Sequence, residues 1–240
     1  MPAPAYSIVV PVFNEEGAAA PLAREIAAAF AGTDYEMLFV DDASRDATVA
    51  SLIAEKGALP RLRVLRHEKN AGQSRAVRTG VMAARGDIIV TLDGDGQNDP
   101  GDAPRLARRL ADGPATLGLV GGRRTKRQDS AAKRIASSLG NAIRKRLLND
   151  HADDTGCGLK AFRREVFLRL PYFDHLHRYL PAMVQREGFD TVFEDVAHRP
   201  RISGVSKYNN IGRAMVSVSD ILGVLWLGRR AASPGALHED

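Results

Sequence analysis

The sequence predicts an α/β protein with a mostly parallel sheet flanked by helices, and three observations lead there. Strand-length apolar runs alternate with segments of helical periodicity through the first half of the chain. The runs are almost continuously hydrophobic, as strands buried on both faces of a parallel sheet are. Polar clusters follow the end of each run, where open α/β sheets bind their ligands. With 240 residues, 44% of them hydrophobic, the chain can bury a full core as one domain.

Each element follows from its local pattern. "YSIVVPV" (6–12) reads as the first strand, and "PLAREIAAAFAG" (21–32) as a helix with Gly32 at a C-cap. "YEMLFV" (35–40) is the second strand, "DATVASLIAEKG" (46–57) a helix, and "LRVLRH" (62–67) the third strand. "GQSRAVRTGVMAARG" (72–86) carries helical spacing and leads into strand "DIIVTL" (87–92). Asp99 before Pro100 is an N-cap followed by proline at N1, so "PGDAPRLARRLADG" (100–113) starts a helix before strand "LGLVGG" (117–122). A βαβα succession of this kind gives a doubly wound sheet.

Residues 123–148 read as a long basic helix with its preceding loop. "DDTGCGLKAFRREVFLRLPYF" follows as turn, short strand and helix, then "RYLPAMVQREG" as a helix and "TVFEDVAHRPR" as a strand. "ISGVSKYNN" is a Gly/Ser loop before a last apolar helix. The expected division is a domain over 1–210, a C-terminal apolar or amphipathic helix over 211–230, and a disordered tail over 231–240.

Composition narrows the setting. The single cysteine, Cys157, excludes an intrachain disulfide framework and fits a reducing compartment. No His is placed to activate it, so it reads as a small packing residue. The start "MPAPAYSIVV" has neither a basic n-region nor an apolar h-region. The segment 214–230 is broken by Asp220 and closed by Arg229 and Arg230, short of a spanning helix. Cytoplasmic placement is the expectation. Net charge is +5, and residues 121–148 hold nine Lys/Arg against one acid. Such a run attracts phosphate, nucleic acid or an anionic membrane, or is simply a solvated face.

The chemistry collects at the strand ends in "FNEE", "DDASRD", "NAGQSR", "DGDGQND" and "GGRR". Asp93 and Asp95, one residue apart, point the same way along an extended segment, and Gly94 and Gly96 let the backbone turn both onto one ion. Hard carboxylate oxygens in that arrangement suit Mg²⁺ or Mn²⁺ shared with substrate phosphates and waters. The pair Asp41 and Asp42 raises a phosphorelay receiver as a rival. A complete strand–helix unit precedes that pair, however, and 145 residues follow Asp95, more than a receiver needs. A dinucleotide fold would carry G-x-G-x-x-G after the first strand, where "PVFNEEG" stands.

Taken together, "SIVVPVFNEE", "FVDDASRDAT", "NAGQSRAVRTG" and "IIVTLDGDGQNDP" resemble a family 2 glycosyltransferase of the Rossmann-like GT-A fold. "GGRR", "DTGCGLKAFRR" and "HRPRISGVSKYN" resemble the branch with dolichyl-phosphate mannose synthase and bacterial polyprenyl-phosphate glycosyltransferases, over about residues 6–210. The resemblance implies that Pro11, Phe13, Asn14 and Glu15 line the nucleoside pocket, with Asp42 by the base or ribose and Gly72 near the nucleotide. It implies that Asp93, Asp95 and Gln97 hold the divalent metal on the donor diphosphate, with Asp95 catalytic.

It further implies an inverting enzyme moving a sugar from GDP-mannose or a UDP-sugar to a polyprenyl phosphate at the inner membrane face, with no nucleic-acid partner. Arg123 and Lys133 or Arg134 are candidates to grip the acceptor phosphate, and Arg201 and Lys207 to close over the diphosphate. A phosphate monoester, with a second pKa of about 6, is already mostly a dianion at neutral pH and attacks without a base. A hydroxyl acceptor would need a carboxylate within hydrogen-bond reach. Asp154 is the candidate by position, ahead of Glu194 and Asp195 within the apparent strand. The alternatives are such a hydroxyl-directed transferase, and a non-catalytic nucleotide-sugar or membrane-surface binding protein.

Overall fold

The structure, a computed structural model, describes residues 3–125, 147–148, 154–200 and 210–231. The strands are β1 (Tyr6–Val12), β2 (Tyr35–Asp41), β3 (Leu62–Arg66), β4 (Ile88–Thr91), β5 (Leu117–Arg124), β6 (Lys160–Arg163) and β7 (Asp190–Val196). They form one sheet in the order β3-β2-β1-β4-β6-β5-β7, and every neighbouring pair is parallel except β4–β6 and β5–β6. The helices are α1 (Ala19–Ala29), α2 (Thr48–Glu55), α3 (Gln73–Ala83), α4 (Ala103–Ala111), α5 (Arg164–Arg169), α6 (Leu176–Arg186) and α7 (Asn210–Arg229).

The strands sit where the apolar runs predict them because burial on both faces leaves little room for polar side chains. Successive side chains divide between two cores. Ile8, Val10 and Val12 pack with α1, α2 and α4, whereas Val9, Ile89 and Phe162 pack with α3, α5, α6 and α7. Each large side chain fully buried in this way contributes about 1.5–3 kcal/mol.

Register brings the functional ends together. Val12 lies opposite Asp41, Asp41 opposite Arg66, and Val9 opposite Thr91, so β1 to β4 finish along one edge. Because β6 runs the other way, it begins at that edge, with Lys160 opposite both Thr91 and Gly121. The turn before β6 is thereby delivered to the same place as the loop after β4.

Several boundaries differ from the sequence pattern: the last strand, expected over 191–201, is Asp190–Val196. Arg123 and Arg124, read there as the approach to a basic helix, instead complete β5 by pairing with Asp195 and Val196. The rest of that segment, with Lys133 and Arg134, lies outside the described residues, as do Arg201 and Lys207. The last helix, expected over 211–230, runs Asn210–Arg229. Val224, Ile221 and Leu227 turn inward, while Val218, Leu222 and Trp226, four residues apart, are exposed along one stripe. Among the described residues, no helix is long and apolar enough to cross a membrane.

Candidate active site

The exits of β1 and β2 are interlocked. Asn14 takes a left-handed conformation (φ 53°), which asparagine tolerates better than most residues. Its amide donates to Ser44 Oγ (2.8 Å), and its Oδ1 accepts from the Arg45 amide (2.8 Å). The Glu15 amide donates to Thr48 Oγ1 (2.8 Å); Pro11 lies in β1 and Phe13 directly follows it.

Asp42 is buried beside it. Its Oδ1 accepts from the Ala71 amide (2.9 Å), its Oδ2 from the Gly72 amide (2.8 Å), and His67 Nδ1 lies 2.7 Å away. The carboxylate expected by the base or ribose thus holds the turn that starts α3. Gly72, at φ 88°, occupies the N-cap, a conformation that suits glycine. The next residue, Gln73, points back across the sheet edge and donates from Nε2 to Asp93 Oδ1 (2.8 Å).

The segment after β4 is a tight turn, and the two glycines divide their work differently from the sequence expectation. Gly96 supplies the left-handed residue at φ 74°. Gly94 instead allows close approach: a Cβ there would lie 2.7 Å from the Pro11 carbonyl oxygen and 2.6 Å from Val12 Cγ1. Asp95 is buried and folds onto its own turn, its Oδ1 accepting from the Gln97 amide (3.1 Å). The Asp93 amide donates to Asn98 Oδ1 (2.9 Å). Asp99 caps the next turn through Gly101 (2.9 Å), with Pro100 at N1, as expected.

Burial, and then the Asp95 charge, push the Asp93 carboxyl above its ordinary value; Lys160, Gln73 and Arg124 pull it back. Two neighbouring carboxylates in that state carry negative charge that a cation would offset. No third His, Cys, Asp or Glu joins them among the described residues. The donor set fits Mg²⁺ or Mn²⁺, which take one or two carboxylates plus phosphate and water, rather than an ion needing an all-protein cage. The Gln97 side chain reaches toward His198, with Nε2 3.5 Å from the imidazole Nε2.

The turn before β6 forms the opposite wall. Thr91 Oγ1 donates to the Gly158 carbonyl (2.8 Å), and a Cβ on Gly158 would stand only 2.2 Å from Asp93 Oδ2. We expect Gly158→Ala to displace the Asp93 carboxylate. Any activity that needs a metal at this turn should fall about 10- to 100-fold with a melting temperature close to wild type, read by parallel assay and thermal scans. Lys160 is buried, its ammonium donating to the Cys157 carbonyl, and Cys157 is itself a buried packing residue whose thiol burial pushes up.

The arginines of β5 separate by face. Arg123 turns outward and pairs through Nε with Asp195 Oδ1 (2.6 Å), both side chains exposed. Arg124 turns inward and grips Asp154 with two bonds, Nε to Oδ2 (2.6 Å) and Nη2 to Oδ1 (2.8 Å). Asp154, the candidate base for a hydroxyl acceptor, thus has its carboxylate buried in a bidentate ion pair that braces the turn. Glu194 is likewise engaged, by Arg105 and Arg109.

Sequence reasoning missed Gln73, Arg124, Lys160 and His177. Alternation along a strand shows that adjacent arginines face opposite ways, but not which one faces the site. His177 Nδ1 lies 2.6 Å from Ser74 Oγ on α3. Burial, then the charges of Arg178, Lys160 and His175, hold its imidazole well below the ordinary value. It is therefore neutral in the fold, whereas an unfolded histidine takes a proton at about pH 6.5. Its contribution is intact above that pH and declines as pH falls below it, by at most about 1.4 kcal/mol per pH unit. Melting curves between about pH 7.5 and 5.5 should show a decline that His177→Gln flattens.

Comparisons with known proteins bear on the family and the fold. Residues 7–170 match the model of Glycosyl transferase family 2. The chain is 34% identical over 236 residues to a dodecaprenyl-phosphate galacturonate synthase of Rhizobium johnstonii, covering 95% of this chain and 69% of that protein. It is 37% identical over 206 residues to an undecaprenyl-phosphate 4-deoxy-4-formamido-L-arabinose transferase of Shewanella sediminis, covering 84% and 61%. It thus spans roughly three fifths to seven tenths of the length of these relatives. Glucosyl-3-phosphoglycerate synthase from Mycobacterium tuberculosis, solved with Mn²⁺, uridine diphosphate and glucosyl-3-phosphoglycerate, superposes with a TM-score of 0.71 at 19% identity. That match covers 97% of this chain and 82% of the other, and the shared fold is GT-A.

Proposed function

Because the chain belongs to glycosyl transferase family 2, we propose that it moves a sugar, with inversion, from a nucleotide-sugar donor to a polyprenyl phosphate. The observation that carries the reading is the pair Asp93 and Asp95, held at the edge where β1 to β4 end, beside the Gly72–Gln73 start of α3. Pro11, Phe13, Asn14 and Glu15 line the nucleoside side of that edge, and Gly72 sets the backbone near the nucleotide. Asp42 acts there by fixing the Ala71–Gly72 turn.

Asp93, Asp95 and Gln97 would hold Mg²⁺ or Mn²⁺, which when bound neutralises the charge developing on the departing nucleoside diphosphate. Gln73 and Lys160 keep the Asp93 carboxylate in place. Arg123 belongs to this proposal as an acceptor-phosphate contact, its guanidinium half-exposed on the outward side of β5 and paired with Asp195. Lys133, Arg134, Arg201 and Lys207 belong to the same proposal as further phosphate contacts, although they lie outside the described residues.

The Arg124–Asp154 pair favours this acceptor over a hydroxyl. A hydroxyl must lose its proton to a nearby base, and the carboxylate best placed by sequence is occupied. A phosphate needs no such help. We place the reaction at a membrane surface, where the α7 stripe of Val218, Leu222 and Trp226 with Arg229 and Arg230 would lie in the lipid interface at the inner face.

The test is transfer of radiolabel from UDP- and GDP-sugars by purified protein with Mg²⁺ or Mn²⁺ and polyprenyl phosphate in anionic vesicles. Label should enter the organic phase and stop with chelator. Label on a hydroxyl acceptor alone would support the second reading, and tight donor binding without turnover would support a binding protein. Leu222→Ser with Trp226→Ser should weaken co-sedimentation with the vesicles. Unchanged sedimentation would remove α7 from the membrane reading without touching the chemistry.

A further inference from the structure

Beyond β7 the chain folds back onto the Asp93–Asp99 turn. His198 forms an antiparallel bridge with Asn98, and the Arg199 amide donates to the Gln97 carbonyl (2.9 Å). The Ala197 amide donates to Asp102 Oδ2 (2.8 Å). The Arg199 guanidinium then divides between two elements, Nη1 to Glu25 Oε2 on α1 (2.5 Å) and Nη2 to Asp99 Oδ1 (2.8 Å).

That Asp99 oxygen is the one that caps Gly101. The Gln97 whose carbonyl Arg199 holds is also the residue whose amide fixes Asp95 Oδ1. The far end of the turn is therefore tied to α1 through the Arg199 side chain, and to the post-β7 segment through the Arg199–Gln97 backbone bond and the contacts of His198 with Gln97 and Asn98. At its near end it is pressed against β1 at Gly94.

We propose that Arg199 is a positioning residue: a strut between Glu25 and Asp99 that holds Asp95 and Gln97 in the geometry the divalent cation needs. The inference rests on reading this turn as the metal loop. Arg199 touches neither carboxylate of the metal pair in the contacts described. It acts through Gln97 and Asp99, as groups behind metal ligands commonly do. A guanidinium suits the task because its planar fork can bond two carboxylates on different elements at once, which an ammonium does less well. Since both pairs are half-exposed, their part in overall stability is small.

The experiment measures binding of uridine and guanosine diphosphates to the full chain, with and without Mn²⁺, for wild type and Arg199→Gln. Metal-free nucleotide binding should stay within about twofold of wild type, while the Mn²⁺ affinity falls about 10- to 100-fold. In turnover, the Mn²⁺ requirement should rise by a similar factor, with kcat largely restored at saturating Mn²⁺. Arg199→Lys should fall between, and Glu25→Gln should reproduce part of the loss without adding to Arg199→Gln.

Unchanged Mn²⁺ affinity in Arg199→Gln would overturn the proposal. So would an equal loss of nucleotide binding with and without metal, which would mark a general collapse of the site. If wild type itself binds these nucleotides without any Mn²⁺ dependence, the metal reading of the turn falls and the strut with it.

Discussion

Asp95→Asn should lower metal-dependent sugar transfer about 10³-fold, the rate equivalent of about 4 kcal/mol, and leave the melting temperature unchanged or slightly raised. The substitution keeps the size of the side chain and an oxygen able to accept from the Gln97 amide, so the turn should persist. What it removes is one of two neighbouring charges. In the metal-free protein the Asp95 charge is among the causes that push Asp93 up, so its loss relieves repulsion rather than packing. With donor and metal present, the same change removes a hard oxygen ligand. Parallel measurement of transfer and thermal unfolding separates these effects, and a fall in melting temperature of more than about 5 °C would count against a metal site.

Arg124→Met should destabilise the fold by about 3 kcal/mol, measured by urea unfolding, because it removes both side-chain bonds that Arg124 makes to the buried Asp154 carboxylate. Adding Asp154→Asn should return most of that loss, since the cost lies in the uncompensated charge rather than in the pair. Asp154→Asn alone is informative about chemistry. A base for a hydroxyl acceptor would lose nearly all activity on that change, whereas a bracing carboxylate leaves transfer to a phosphate within about tenfold of wild type. If Asp154→Asn abolishes transfer with the fold intact, the phosphate acceptor loses its main structural argument.

The legible and illegible parts of this protein divide by distance along the chain. The strands over residues 6–12, 35–41, 62–66 and 88–91, and β5 as far as residue 122, could be read because each is a local apolar run. Asp99–Pro100 could be read because capping involves atoms only two residues apart. The Gly94 reading failed in detail, since close packing on Pro11 leaves no trace in a pattern that also suits a turn. The ion pair that Asp154 makes with Arg124 was not legible, because its partner is thirty residues away and on a different element.

The sequence by itself determined the βαβ alternation and the gathering of polar clusters at one end of the strands, and it is the source of the proposal that the D-x-D turn takes a cation. All follow from periodicity and short-range spacing. Only the tertiary structure decided that β6 enters antiparallel between β4 and β5 and lays Gly158 and Lys160 beside Asp93. It also decided that Arg124 rather than Arg123 faces inward, and that Arg199 reaches Glu25, 174 residues away. These depend on strand order, register and the closure of the last segment onto the first helix. Such relations arise from packing the whole chain against itself, and no local run of side chains records them.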